Sequence, residues 1–161
     1  MIAVGDYADV SRLTVEAYRA DGQLEAAPEY AAVLADVASR AEAADTLVAE
    51  VDGALLGAVT FTLAGGKYAE VSRAGEAEFR TLAVDPAAQR RGVARALVQA
   101  CLERAAGFGC RAVVICVRDD NPGAFALYER FGFVREPSLD WSPVPKVNLL
   151  GLRRELANTD K

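Results

Sequence analysis

Apolar residues recur at helical spacing in several stretches of the chain. The clearest stretch covers residues 92–106, where one stripe would carry Val93, Ala94, Leu97, Val98, Cys101, Leu102 and Ala105. Similar spacing predicts helices over residues 6–19 and 29–43, with Asp6 as a cap of the first and Pro28 before the second. Asn121-Pro122 starts a further predicted helix, which Gly132 ends.

Shorter apolar and β-branched runs predict strands. They cover residues 46–51, 54–63, 78–84, 111–117, 133–136 and 147–152, with 1–4 as a stub of a first strand. Asp52-Gly53 between the first two runs is a strong hairpin signal. Residues 64–77 form a long glycine-containing loop, which is typical of functional or mobile segments.

The order of these elements predicts one mixed α+β domain over residues 1–161. Three strands form an antiparallel meander, and residues 78–117 form a strand–helix–strand unit with a right-handed parallel crossover.

Composition narrows the class of protein. The chain has 161 residues, 52% of them hydrophobic and 25% charged, which argues against disorder. A net charge of −5 disfavours a nucleic-acid binder and suits a cationic substrate such as an amine. No histidine is present, which excludes histidine-based catalysis and histidine metal ligands. The cysteines Cys101, Cys110 and Cys116 lie in apolar runs and are expected to be reduced core thiols, without a metal.

Two further absences concern location. No basic segment followed by an apolar run begins the chain, and no apolar stretch reaches the length of about 20 residues that spans a bilayer. We therefore expect a soluble cytoplasmic protein with no membrane partner.

The segment from Asp85 to Arg95 carries the strongest chemical signal. A strand ends there, a turn follows and a helix begins near Gly92, so free N–H groups and the helix dipole favour an anion. Gly92 allows close approach of a ligand, and Arg90, Arg91 and Arg95 add positive charge that suits a diphosphate. Taken alone, the segment could equally be an ordinary turn with solvated arginines. The glycine patterns of dinucleotide-binding folds and P-loops are absent.

Two blocks resemble the GNAT superfamily of N-acetyltransferases. Residues 89–94 (QRRGVA) resemble its Q/R-x-x-G-x-G/A motif, with Ala94 where Gly is commoner. Residues 121–133 (NPGAFALYERFGF) resemble its later asparagine and tyrosine block, and the likeness covers residues 46–152. The resemblance implies the GNAT acyl-CoA N-acyltransferase fold, a mixed and mostly antiparallel central sheet flanked by about four helices.

The resemblance also implies an acetyl-CoA site. Backbone groups of Leu82, Ala83 and Val84 would hold the pantetheine arm and the acetyl carbonyl, where a bulge splays the strand from its neighbour. Amides in the segment that opens the helix would hold the pyrophosphate. The residues concerned are Gln89, Arg90, Arg91, Gly92, Val93, Ala94 and Arg95, with Asn121, Ala124 and Tyr128 contributing from the second block.

Two residues are candidate catalysts in this resemblance. Tyr128 would protonate the leaving thiolate, and its alternative is an aromatic core position. Glu78 would accept the proton of the amine directly or through a water, and its alternative is a solvent-exposed glutamate at the start of a strand.

The implied activity is transfer of an acetyl group from acetyl-CoA to a primary amine by direct attack in a ternary complex. The alternative is a non-catalytic acetyl-CoA sensor or interaction module of the same fold. The acceptor would be a small-molecule or peptide amine, bound near the loops at residues 21–30, 63–77 and 139–147. Each of these regions could equally be a plain surface loop. Members of the family are often dimers, so a homodimer is one expected state.

Overall fold

The structure, a computed structural model, describes residues 4–20, 22–24, 29–89, 91–145 and 147–156. Its α-helices are α1 (Tyr7–Ala20), α2 (Tyr30–Ala35), α3 (Val37–Ala43), α4 (Val93–Gly107) and α5 (Pro122–Arg130). Its strands are β1 (Asp45–Val51), β2 (Ala54–Leu63), β3 (Glu76–Val84), β4 (Ala112–Arg118), β5 (Val134–Arg135), β6 (Trp141–Val144) and β7 (Val147–Glu155). Short 3₁₀ turns lie at Val4–Asp6, Pro86–Ala88 and Pro137–Leu139.

The strands form a mixed sheet in the order β1-β2-β3-β4-β7-β5, with β6 also paired to β7. Strand β3 pairs with β4 in parallel, and the pairings of β1 with β2 and of β7 with β4, β5 and β6 are antiparallel. The predicted fold class, a mixed and mostly antiparallel sheet with helices, is therefore confirmed. The parallel β3–β4 pairing confirms that α4 belongs to a crossover.

The hairpin between β1 and β2 forms where the sequence places it. Asp52 and Gly53 both have positive φ, 51° and 81°. This backbone matches the twist of two-residue hairpins, which is why an Asp-Gly pair is so strong a local signal.

The described chain falls into two compact units. Unit 1 comprises the described residues up to Phe61 and those of Arg80–Cys101, and unit 2 comprises Thr62–Phe79 and the described residues from Leu102 onward. In unit 1, one face of α1 packs on the sheet in a core formed by Val10, Leu13, Ala17, Val37, Leu55, Ala58 and Ala83. The predicted apolar face of the first helix is thus its buried face.

Unit 2 has its own buried centre. Ala112, Val113, Val114 and Ile115 of β4 are at most 1% exposed, as expected of a β-branched strand that is covered on both faces. The rings of Phe79, Tyr128 and Phe133 pack together, with centroids 5.7 to 6.1 Å apart.

The predicted single helix over residues 29–43 is wrong in one respect, because the structure contains two helices there. Asp36 has φ −82° and ψ 70°, which interrupts the helix between α2 and α3. Its carboxylate accepts hydrogen bonds from the N–H and the hydroxyl of Ser39. An aspartate that caps the next turn in this way competes with a continuous helix.

The chain after α5 also differs from the prediction. Residues 139–147, expected to be a loop, contain strand β6. This exposed strand pairs with β7 in an antiparallel arrangement. Strand β7 runs on to Glu155, and β3 begins two residues earlier than predicted, at Glu76. Of the predicted stub over residues 1–4, Val4 begins a 3₁₀ turn and the rest lies outside the described residues.

Candidate functional site

Strand β3 is interrupted close to its C-terminal end. Thr81 has a φ of +56°, a conformation that β-branched residues rarely adopt. A single left-handed residue within a strand bends it, as in a bulge. The residues that follow, Leu82, Ala83 and Val84, are those expected to present backbone groups to acetyl-CoA.

The pairing of β3 with β4 is short. Within the described strands, the parallel register covers Glu76 to Glu78 opposite Ala112 to Val114, although both strands continue beyond it. A parallel ladder that stops while its strands continue leaves backbone groups available to a ligand.

The turn after β3 is fixed by Asp85. Its side chain accepts a hydrogen bond from Ala87 N at 3.0 Å, and its own N–H donates to Leu56 O at 2.8 Å. The side-chain amide of Gln89 donates a hydrogen bond from Nε2 to Val84 O at 3.4 Å, which closes the turn. The turn is therefore built mainly from contacts between near neighbours.

Gly92 stands immediately before α4 in an open position. Its φ is +78°, and a Cβ placed on it would have no protein atom within 4 Å. Arg91 and Arg95 are exposed, and the first turn of α4 contains no acidic residue. The first N–H groups of a helix lack intrahelical acceptors, so this end of α4 offers donors and positive potential to an anion. Arg90 lies outside the described residues.

A glycine on the neighbouring strand positions this helix. A Cβ on Gly57 of β2 would lie 2.8 Å from Ala83 O, 2.8 Å from Val93 Cγ1 and 3.1 Å from Leu97 Cδ1. Only a residue without a side chain allows the start of α4 to approach β2 so closely. Sequence reasoning missed Gly57, and its only signal is a glycine in the interior of a strand.

The second block of predicted site residues lies in unit 2. Asn121 caps α5, since its Oδ1 accepts a hydrogen bond from Ala124 N at 3.1 Å. Tyr128, on the same helix, is 7% exposed and packs between Phe79 and Phe133. Tyr128 therefore occupies the aromatic core position that was its alternative role. A core position for the ring does not exclude proton donation by the hydroxyl.

Glu78 is buried, at 3% exposure, so the solvent-exposed alternative is wrong. Its Oε1 accepts hydrogen bonds from the N–H groups of Glu70, Val71 and Ser72 at 3.0, 3.1 and 3.0 Å, and from the hydroxyl of Ser72 at 2.9 Å. Its Oε2 accepts from Glu70 N at 3.1 Å. The carboxylate thus holds the loop before β3 in place. No local sequence pattern predicts this contact.

Glu76, the poorer candidate base in the sequence, is also buried and paired. It accepts hydrogen bonds from Arg153, from Arg73 N at 2.8 Å and from Arg111 at 3.5 Å. Burial alone would raise the pKa of Glu76, but the hydrogen bonds from Arg153 and Arg73 N, with the charges of Arg153 and Arg111, bring it below the ordinary value. Glu76 is thus a structural anion.

Cys116 occupies a polar niche on β4. Its thiol lies 3.7 Å from Leu139 O, and burial, with the charges of Glu78 and Glu70, raises its pKa to about 12 despite a hydrogen bond with Trp141. The thiol is therefore neutral near pH 7 and a poor nucleophile. Cys101, Cys110 and Cys116 are thiols and not disulfide partners.

The described part of the chain contains no group of three or more His, Cys, Asp or Glu side chains that could hold a metal ion. None of its helices is long and apolar enough to cross a membrane.

Solved structures share the fold of this chain. An N-acetyltransferase from Thermoplasma acidophilum, PaiA, solved in complex with coenzyme A, matches with a TM-score of 0.72 at 15% identity, covering 96% of both chains. The ribosomal-protein-S18-alanine N-acetyltransferase from Escherichia coli matches with a TM-score of 0.60 at 21% identity, covering 80% of this chain and 81% of that one.

Relatives that are similar in sequence are also named acetyltransferases. The N-alpha-acetyltransferase RimI of Mycobacterium tuberculosis is 44% identical over 79 residues, which are 46% of this chain and 47% of the relative. The mycothiol acetyltransferase of Mycobacteroides abscessus is 40% identical over 63 residues, 39% of this chain and 21% of the relative. The chain thus spans less than half the length of these relatives. The family model for the acetyltransferase (GNAT) family matches residues 7–133. This chain therefore belongs to the GNAT family of acetyltransferases.

Proposed function

We propose that the chain transfers an acetyl group from acetyl-CoA to a primary amine by direct attack within a ternary complex. The observation that carries the proposal is the open glycine turn at the start of α4. Gly92 has left-handed backbone with free space where a side chain would stand, and exposed Arg91 and Arg95 flank it. Such a site suits a diphosphate, which acetyl-CoA contains.

The donor is held mainly by backbone in this proposal. N–H groups at the start of α4, from Gly92 to Arg95, bind the pyrophosphate, with Gln89 preceding them in the turn. Arg90, the remaining candidate of this segment, lies outside the described residues. Leu82, Ala83 and Val84 hold the pantetheine arm and the thioester carbonyl, next to the strand interruption at Thr81. Asn121 and Ala124 contribute to the pantetheine contacts, an assignment that rests on the family resemblance.

The chemistry follows from the bonds that change. A neutral amine nitrogen attacks the thioester carbonyl, a C–N bond forms, and the C–S bond breaks. The N–H of Leu82 stabilises the oxyanion that develops. Tyr128 donates its hydroxyl proton to the leaving sulfur, so coenzyme A departs as a neutral thiol.

The proton of the amine has two candidate acceptors, Glu78 and a water molecule. Both oxygens of Glu78 already accept hydrogen bonds from the 70–72 backbone. Four of the contacts with Glu70, Val71 and Ser72 reach Oε1 and one reaches Oε2, so the loop occupies most of the acceptor sites of the carboxylate. We therefore assign the proton to water, and direct acceptance by Glu78 is the competing mechanism.

The acceptor is a primary amine of a small molecule or a peptide. The two relatives named above differ in acceptor, one being an N-alpha-acetyltransferase and the other a mycothiol acetyltransferase. The net charge of −5 favours a cationic acceptor. Cytoplasmic location and a homodimeric state stay predictions.

A thiol-release assay with acetyl-CoA and a panel of amines tests the proposal. Release of coenzyme A that depends on the amine, above the background of the three cysteines, is the expected result. Coenzyme A should also raise the melting temperature, whereas NAD and ATP should not. Stabilisation by coenzyme A without turnover of any amine would favour the sensor instead.

A further inference from the structure

Three consecutive N–H groups of the loop before β3 point at one buried side chain. Glu70, Val71 and Ser72 donate their N–H groups, and Ser72 its hydroxyl, to the carboxylate of Glu78. Successive N–H groups that converge in this way form a concave anion site, a nest. Here the anion belongs to the chain itself, so residues 70–72 are folded around Glu78.

The rest of this loop is held by other groups. Arg73 N donates to Glu76 Oε1 at 2.8 Å, and Glu76 N donates to Arg73 O at 2.9 Å. Arg111 binds Ala74 O through its guanidinium at 2.8 Å, and its N–H binds Gly75 O at 2.9 Å. Loss of the Glu78 carboxylate should therefore release residues 70–72 while residues 73–75 keep their anchors.

Glu78 also marks the place where the parallel ladder ends. It is paired with Val114, which is the last described pair between β3 and β4. Paired residues on neighbouring strands share a face of the sheet, and Cys116 lies two residues further along β4 on that face. The Cys116 thiol donates a hydrogen bond to Leu139 O at 3.7 Å. The loop held by Glu78 and the chain at Leu139 thus lie beside the same stretch of β4.

We infer that Glu78 is a positioning residue, which fixes residues 70–72 as a wall of the amine-acceptor site. This inference rests on the proposed function, in which the acetyl donor lies along the same strand beyond Glu78. The carboxylate acts through the loop it holds and does not touch the reacting atoms. The amine meets a wall whose shape depends on four hydrogen-bond donors satisfied by one side chain.

Two variants and one control test the inference by steady-state kinetics. Ser72→Ala removes only the hydroxyl bond, and Glu78→Gln removes the charge that the nest surrounds. The control is Ser39→Ala, which removes a similar bond from a serine hydroxyl to the Asp36 carboxylate, 2.7 Å long, at the start of α3. The readouts are KM for the amine, KM for acetyl-CoA, and the pH profile of kcat/KM.

A positioning role predicts a split between the two KM values. KM for the amine should rise about fivefold in Ser72→Ala, the effect of one hydrogen bond, and more in Glu78→Gln. KM for acetyl-CoA and the acidic limb of the pH profile should stay as in the wild type. Ser39→Ala should leave both KM values unchanged.

The contrary outcome is loss of the acidic limb in Glu78→Gln, with an unchanged amine KM in Ser72→Ala. That result would make Glu78 the base and overturn the inference while leaving the proposed function intact. If Glu78→Gln does not fold, Ser72→Ala decides alone, because an unchanged amine KM contradicts the wall. Absence of turnover in the wild type with every amine would refute the proposed function and the inference with it.

Discussion

Replacement of Gly92 by alanine tests the proposed coenzyme A site independently of the stability of the fold. The added methyl group meets no protein atom within 4 Å, so it creates no clash inside the protein. It does enter the space in which a diphosphate would lie. Gly53→Ala is a matched control, since Gly53 has a φ of +81°, similarly open surroundings and a place in the β1–β2 hairpin.

The two substitutions should cost similar stability. Left-handed backbone costs a residue with a Cβ about 1–2 kcal/mol. For a chain of this size, that loss lowers the melting temperature by about 2–8 °C. Coenzyme A at 100 times its Kd should add about 2.7 kcal/mol to the wild type and to Gly53→Ala. A tenfold weaker site in Gly92→Ala would reduce that gain to about 1.4 kcal/mol.

Thermal unfolding with and without coenzyme A measures both effects, and titration calorimetry gives Kd directly. Gly92→Ala should show the weakened response, and Gly53→Ala should respond as the wild type does. Equal stabilisation of all three proteins by coenzyme A would refute the reasoning. The pyrophosphate would then lie away from the start of α4.

The remaining predictions concern chemistry, packing and charge. Tyr128→Phe keeps the aromatic cluster, so it should lower kcat by about 10²-fold or more with little change in KM for acetyl-CoA, whereas Tyr7→Phe should leave kcat unchanged. Gly57→Ala should destabilise the fold by about 1–3 kcal/mol in urea unfolding and weaken coenzyme A binding, because the start of α4 must move. Because the pKa of Glu76 is depressed in the folded state, its stabilising contribution is present above its unfolded pKa and is lost as the pH falls through the folded value. Arg153→Met should therefore lower the free energy of unfolding at pH 7 by up to about 3 kcal/mol. The free energy of unfolding of this variant should also fall less between pH 5 and pH 3 than that of the wild type. An unchanged pH dependence would contradict the pairing.

Features set by near neighbours were predictable from the sequence. The Asp52-Gly53 hairpin, the amphipathic α4 and the Asn121 cap each depend on contacts within a few residues. The open turn before α4 belongs to the same class, because a glycine with positive φ follows from local backbone geometry.

The rest depends on contacts that local patterns do not encode. The break at Asp36 replaces an expected helix turn, because an aspartate within an apolar helical pattern can either face solvent or cap a new helix. Glu78 looked like a strand-start residue, and its burial follows from the way the preceding loop folds back over it. The close packing of Gly57 against Val93 is equally tertiary in origin.

The pairing of Glu76 with Arg153 has a consequence for how the chain folds. The two residues are 77 positions apart, whereas the bonds that hold residues 70–72 to Glu78 span only six to eight. Short-range contacts close early at small entropic cost, and distant ones close late. During synthesis, the loop before β3 can form as soon as that strand emerges. The Glu76 carboxylate can pair with Arg153 only after β7 has been synthesised. Strand β7, which follows the other described strands in the sequence, thus supplies a cation for an anion that is synthesised much earlier.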